Sequence, residues 1–216
     1  MIDDFEDMDG RINNNAKQDG YWFTYNDGTG TQVPAAGAEF APSGIVAGGA
    51  NSSVAAGKST GMGFTGYGAG VGVHLNTPGQ GDAAVAPPIG LFDASAYSCL
   101  VFTAKSASAT PNTVLVQLGT PSTISNLEPA GTCNGIASQC DNDYSASITL
   151  TADFKQHTVL FADMKQGSYG LMNAPGLMSE LTKIVELHFQ FNAPANATFD
   201  MTFDDVGFGT ACSATQ

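Results

Sequence analysis

Residues 185–191 alternate with a period of two: Val185, Leu187, Phe189 and Phe191 are apolar, while Glu186, His188 and Gln190 between them are polar. Successive side chains of an extended strand point to opposite faces, so this segment calls for a sheet with one buried face and one polar face. Short apolar or alternating runs recur at 21–25, 53–57, 70–75, 99–104, 113–118, 147–150, 157–161 and 198–208, each bounded by Gly, Pro, Asn or Asp. Helical periodicity is nearly absent, and a single short helix is predicted at 175–183. Many short strands with Gly-rich connections predict an all-β fold with under about 10% helix, an antiparallel β-sandwich or jelly roll. No linker or fixed-period repeat divides residues 1–216, which read as one domain.

Charge narrows the partners. Twenty acids against seven Lys and Arg give a net charge of -13, which repels nucleic acid and anionic lipid surfaces. The same scarcity of cations counts against polyuronate or sulfated substrates, which Arg and Lys normally hold, and leaves a neutral or cationic ligand. No apolar run approaches the roughly 18 to 20 residues needed to cross a bilayer, and the acidic first ten residues are unlike the basic start of a signal peptide.

Cys99, Cys133, Cys140 and Cys212 are even in number and form no CxxC, which disfavours zinc ribbons and thioredoxin-type sites. Cys133 and Cys140 bracket a short polar loop and are expected to form a disulfide. Cys99 with Cys212 is then the remaining pairing, as a second bridge or as two buried thiols. A secreted or cell-surface protein follows from bridges of this kind.

Several motif matches fail on context. Gly61, Gly63 and Gly66 spell GxGxxG, and Gly57, Ser59 and Gly61 spell GxSxG, but the following residues cannot begin the helix that either site needs. Asp7, Asp9 and Gly10 hint at an EF-hand loop that lacks its first and twelfth ligands. His74, His157 and His188 fall on three strand candidates without HxH or HxxxH spacing, so a zinc or copper cluster could assemble only through the fold, and they read rather as ordinary strand-surface histidines.

Two constellations remain. Asp3, Asp4 and Glu6 open the chain, and Asp204 and Asp205 lie in its last strand candidate. Parity along that strand sends one of the two adjacent acids toward an interior or a sheet edge, where a carboxylate needs a partner. β-Sandwiches commonly set terminal strands side by side, and carboxylates gathered there repel one another unless a hard cation takes them as ligands. Calcium suits such a place because it accepts six to eight oxygens, including carbonyls of 48–53; the alternative is a solvated acidic surface. The second constellation is aromatic: Trp22, Tyr25, Tyr67, Tyr144 and Tyr169 lie at turns and strand ends, where sugar C–H faces stack well on rings and hydroxyls pair with Asp, Asn and Gln.

The segments IDDFED, GYWFTYNDGTG, GFTGYGAGVGVHLN, CDNDYSASITLT with FKQHTVLF, and ELHFQFNAPANATFDMTFDDVGFG resemble the calcium-containing jelly-roll carbohydrate-binding modules, most nearly the family 11 type and related secreted bacterial modules. The resemblance implies a galactose-binding-like jelly roll and non-catalytic binding of a β-glucan or related hemicellulose on one sheet face, with a structural calcium on Asp4, Glu6 and Asp204 away from the groove. It implies that Tyr25 and Tyr67 are sugar platforms and that Asp141, Asp143 and Tyr144 form an acidic loop at the groove. Tyr169 would sit in the facing aromatic loop, and Asp204 with 3–6 would hold the metal. Two positions depart from the family: Phe191 stands in place of a groove tyrosine, and an arginine often found near Tyr169 is missing. The whole site then reads as Trp22, Tyr25 and Tyr67 stacking on rings, Asp141, Asp143, His188 and Gln190 pairing with hydroxyls, and Tyr144 and Tyr169 walling the groove. The protein is expected to be a monomer, attached to a larger secreted enzyme in some contexts. Competing classes are a polysaccharide hydrolase or lyase using Asp143 and Glu186 as acid and base, and a structural or adhesion domain. Sequons occur at Asn51 and Asn196.

Overall fold

The computed structural model describes residues 1–14, 17–77, 88–108, 112–135, 139–172, 174–192 and 197–212. The sequon at Asn196 lies outside them. Among the described residues the strands are β1 (Trp22–Asn26), β2 (Thr31–Val33), β3 (Ile45–Ala47), β4 (Ala55–Met62), β5 (Ala69–His74) and β6 (Cys99–Ser106), then β7 (Thr113–Gly119), β8 (Tyr144–Thr149), β9 (Lys155–Leu160), β10 (Glu186–Phe191) and β11 (Thr198–Gly209). All pairings between these strands are antiparallel. One sheet runs β1, β5, β10, β7, β8; the other runs β2, β4, β11, β6, β9, with β3 also on β4. The expected all-β sandwich is therefore the observed fold. β2 and β3 have three residues each, too short to show a period in the sequence.

The predicted helix at 175–183 is instead two 3₁₀ turns, Leu177–Ser179 and Leu181–Lys183. Leu177 and Leu181 pin each turn to the core, while Gly176, at φ 95°, and Glu180 between the turns leave the helical region.

Alternation sets the core. Leu187, Phe189 and Phe191 of β10 point between the sheets, as do Val71 and Val73 of β5 and Phe199, Met201 and Phe203 of β11. Phe191 stacks on Phe199 across the sandwich, 4.4 Å between ring centres at 5°. It is thus a core residue and could not serve as a groove ring.

Trp22 corrects an expectation. It is 2% exposed and lies among Phe5, Phe40, Phe189 and Phe203, with ring centres 5.1 to 6.3 Å away. Its indole N–H donates to Asp3 Oδ2 at 2.6 Å, and the Phe5 amide donates to Asp3 Oδ1 at 2.9 Å. Burial pushes the Asp3 carboxyl up to about 7, against the pull of these two donors. Trp22 cannot stack on a soluble ligand. A tryptophan in this setting gains more from sealing the core, provided its N–H finds an acceptor.

In β11 the adjacent acids are separated by a bulge: pairing with β6 shifts register between Asp204 and Gly207, and Asp205 sits at φ 50°. Asp204 is fully buried and Asp205 is turned out. The first residues of the chain run along this strand, with Ile2 and Asp3 amides donating to the Val206 carbonyl at 2.7 and 3.0 Å. Cys133 and Cys140 are bridged as expected, and the open question at Cys99 and Cys212 resolves as a second bridge rather than two buried thiols.

Replacing Trp22 with Phe removes the donor to a buried carboxyl and leaves a small void. The expected loss is about 2 to 4 kcal/mol in urea unfolding, with an unchanged denaturant slope. A loss under about 0.5 kcal/mol would show that the indole is dispensable to the core.

Candidate functional site

The outer face of the five-stranded sheet carries the polar residues that alternate with the core. Register places them in rows: Phe23, Gly72, His188, Gln117 and Ser145 lie across the strands in one, and Tyr25, Gly70, Gln190, Leu115 and Ser147 in the next. His74, Glu186 and Gly119 form a third. Three glycines leave the backbone of this face bare beneath its neighbours. A side chain at Gly72 would meet the Phe23 ring at 2.6 Å and collide with His188; one at Gly70 would collide with Tyr25; one at Gly119 would meet Glu186 at 2.7 Å. The rings and the carboxylate therefore lie down over bare backbone, which the Gly-Val alternation of β5 makes available.

Tyr25 is half-buried, 5.0 Å from the His188 ring and 6.5 Å from the exposed ring of Tyr67. Its hydroxyl is 3.4 Å from Gln190 Oε1, and Gln190 Nε2 donates to the Tyr67 carbonyl. Tyr67 is fixed by its hydroxyl, which donates to the Asn26 carbonyl at 2.6 Å. Phe23, which sequence reasoning missed, lies 5.0 Å from His74 and 5.7 Å from His188. Burial raises the phenols of Tyr25 and Tyr67, and it pushes Tyr169 up to about 12 with help from Asp143 and Asp141. All three stay neutral hydroxyl groups at ordinary pH.

The far wall is built from the segment after the Cys133–Cys140 bridge. The Asp141 amide donates to the Thr123 carbonyl at 2.7 Å, and Asp141 Oδ1 accepts from the Ser125 amide. Asn142 ties down the opposite loop, donating to the carbonyls of Gly167 and Tyr169 at 3.1 and 2.6 Å and accepting from the Gly167 amide at 2.7 Å. Tyr169 is exposed, and its hydroxyl donates to the Asp141 carbonyl. Tyr144 does not belong here. It is 2% exposed, faces the core beside Leu118, and donates its hydroxyl to the buried Glu180 at 3.0 Å. The reason is parity: Asp143 faces His188 on the outer side of the sheet, so its neighbour must face inward.

Between the walls lies a charged floor. Glu186 Oε2 is 3.2 Å from His74 Nε2 and 3.4 Å from His188 Nε2, and His188 Nδ1 is 3.9 Å from Asp143 Oδ2. Asp143 is 3% exposed and takes the Thr123 hydroxyl at 2.5 Å. Burial and the nearby Glu186 raise the Asp143 carboxyl. Burial alone would raise Glu186 too, but the two imidazoles overcome it and hold that carboxyl low. The His188 imidazole is raised because Glu186, then Asp143 and Asp141, outweigh its burial. His74 and His188 are thus partners in one cluster, contrary to the reading of isolated surface histidines. His157 also departs from that reading: it is buried against Phe102 on the other sheet, 5.3 Å between ring centres, and burial lowers its imidazole.

At the chain's ends, oxygens converge beside Gly49. A side chain on Gly49 would collide with Asp204 Oδ2 and meet the Ala55 carbonyl at 2.5 Å and Ser53 Oγ at 2.7 Å. Ser53 also donates to Glu6 Oε1, and the Ala50 amide donates to Asp204 Oδ2 at 2.8 Å. Burial raises the Asp204 carboxyl, against the Ala50 and Asp205 amides. Asp4 makes a local contact, accepting from the Glu6 amide at 3.5 Å.

Comparison with models of protein families and with curated proteins found no match. Solved structures do match in fold. The family 11 carbohydrate-binding module of cellulosomal cellulase Lic26A-Cel5E of Clostridium thermocellum is 14% identical, with a TM-score of 0.50 over 90% of this chain and 91% of that one. A family 30 carbohydrate-binding module gives 12% identity and a TM-score of 0.52 over 90% and 84%. An exo-beta-agarase gives 10% and 0.52, with 99% of this chain matching 25% of the enzyme. At such identities the likeness is one of fold: the chain has the β-sandwich architecture found in carbohydrate-binding modules.

Gly72→Val should lift Phe23 and His188 off the sheet at a cost of about 1 to 3 kcal/mol in stability, since both rings occupy the space that the new side chain needs. Unperturbed His188 ring signals by NMR in a stable variant would contradict the packing described.

Proposed function

We propose that the protein binds a neutral polysaccharide, a β-glucan or related hemicellulose, along the glycine-floored trough without cleaving it. The observation that carries this reading is the set of neutral rings, Tyr25, Phe23, Tyr67 and Tyr169, bordering polar groups on a solvent-facing sheet. Tyr25 and Tyr67 stack on sugar rings, Tyr169 walls the groove, and Asp141, Asp143, His188 and Gln190 take hydroxyls. The family 11 module of like fold was solved with a beta-1,3-1,4-mixed-linked tetrasaccharide, which makes mixed-linkage glucan the first probe. The two bridges and the fold also support a secreted or cell-surface setting. No helix among the described residues is long and apolar enough to cross a membrane.

A shallow, wet groove exchanges water bonds for sugar bonds at small net gain, so the dissociation constant should be about 1 to 100 μM. Tyr67→Ala and Tyr25→Ala should each weaken binding about five- to thirtyfold, roughly 1 to 2 kcal/mol, in titration calorimetry. Trp22→Phe should leave affinity unchanged where the fold survives. No heat with mixed-linkage glucan, xyloglucan, mannan or xylan would end the reading, and steady release of reducing ends would favour Asp143 and Glu186 as a catalytic pair.

Calcium belongs to the same proposal. The oxygens gathered beside Gly49 suit a hard cation, which takes six to eight oxygen ligands. Asp204 and Glu6 would supply carboxylates with Asp4 alongside them, and Ser53 and carbonyls of the adjoining loop would fill the shell. An ion bound only by the folded chain raises its melting temperature. Chelator should therefore lower the thermal midpoint of the wild type and leave that of Asp204→Asn where it is; an unchanged wild-type midpoint in metal-stripped buffer would remove calcium from the account.

A further inference from the structure

We propose that Asp143, Glu186 and His188 form a second metal site, for a zinc-type divalent transition-metal ion, on the floor of the groove and separate from the oxygen-rich cradle at the chain's ends. One ligand atom from each of the three lies within 4.8 Å of the other two. Zinc bonds nitrogen and oxygen at about 2.0 to 2.2 Å, which sets tetrahedral neighbours roughly 3.3 Å apart. The 3.4 Å between His188 Nε2 and Glu186 Oε2 already matches such an edge. Asp143 lies nearer the other ring nitrogen, its Oδ2 3.9 Å from His188 Nδ1, and closes the set on Nε2 by a movement of up to about 1.5 Å.

Two buried atoms that make no hydrogen bond point to a ligand. His188 Nε2 is buried and, despite its closeness to Glu186, makes no hydrogen bond there. Gln117, only 4% exposed, lies directly across from His188 on the same face, and its Oε1 has no partner either. Buried polar atoms without a hydrogen bond are uncommon and costly, and an ion on His188 Nε2 would satisfy that nitrogen outright and bring a cation to the strand position facing Gln117. The remaining partners hold the ligands in place: His74 fixes Glu186 Oε2 at 3.2 Å, and the Thr123 hydroxyl fixes Asp143 at 2.5 Å. Outer partners of this kind orient ligands in metal sites generally. An imidazole nitrogen with two carboxylates is the donor set of zinc and its neighbours, whereas calcium prefers oxygens alone.

The test contains no sugar, so it is independent of the polysaccharide reading. Metal-stripped protein is refilled with excess calcium and titrated calorimetrically with zinc chloride, and in parallel with cobalt chloride followed by visible absorption. One equivalent of zinc should bind in the presence of calcium, and cobalt should show the d–d bands of a site with nitrogen ligation. His188→Asn and Glu186→Gln should each lower zinc affinity at least about tenfold. His157→Asn should not. Should either groove variant fail to fold, paramagnetic shifts of the His188 ring in cobalt-loaded wild type give the same answer. Absence of zinc binding, its loss to excess calcium, full affinity in both groove variants, or cobalt shifts at His157 in place of His188 would each overturn the proposal.

Discussion

The hydrogen bond from the Trp22 indole to Asp3 is the joint on which the two ends of the molecule depend. The ring fills the space between the sheets among Phe5, Phe40, Phe189 and Phe203, so its N–H is far from water. An acceptor has to be brought to it, and Asp3 arrives on a segment that also pairs with Val206 of β11. The same turn carries Glu6 to Ser53 and sets it beside buried Asp204. Core packing and the oxygen-rich cradle are therefore one construction.

On the opposite side of the five-stranded sheet, the constraint is the lack of side chains. Val71 and Val73 fill the core while Gly70 and Gly72 leave the outer surface of β5 bare. Neighbouring strands supply the rings that lie over it, Tyr25 across Gly70 and Phe23 with His188 across Gly72. Charge collects where β10 and the residue before β8 meet, because Glu186, His188 and Asp143 share one face by parity.

The architecture was readable from alternation alone, and β10 was placed with the right face inward. The same rule, applied to adjacent residues, would have corrected two site assignments. Trp22 and Tyr25 have opposite parity and cannot both reach the groove, and neither can Asp143 and Tyr144. Phe23 follows from the same count. The histidine cluster was not legible: His74 and His188 meet only because β5 pairs with β10 in a register that sets His74 against Glu186, and no local spacing encodes that register. Glu180, buried beneath Thr120 and Tyr144, was equally hidden, since its partners come from distant segments. The Cys133–Cys140 bridge was local and could be read; the bulge that separates Asp204 from Asp205 was visible only as a conflict of parity.

The bridge between Cys99 and Cys212 has a mechanical consequence. It spans 113 residues and joins the chain just past the end of β11 to the start of β6, its neighbour in the middle of the six-stranded sheet. Tension applied at residue 212 is therefore passed covalently into β6 and cannot peel β11 away one hydrogen bond at a time. The ladder between these strands is loaded as a unit, and the sandwich resists traction along the C-terminal direction better than its noncovalent contacts alone would allow.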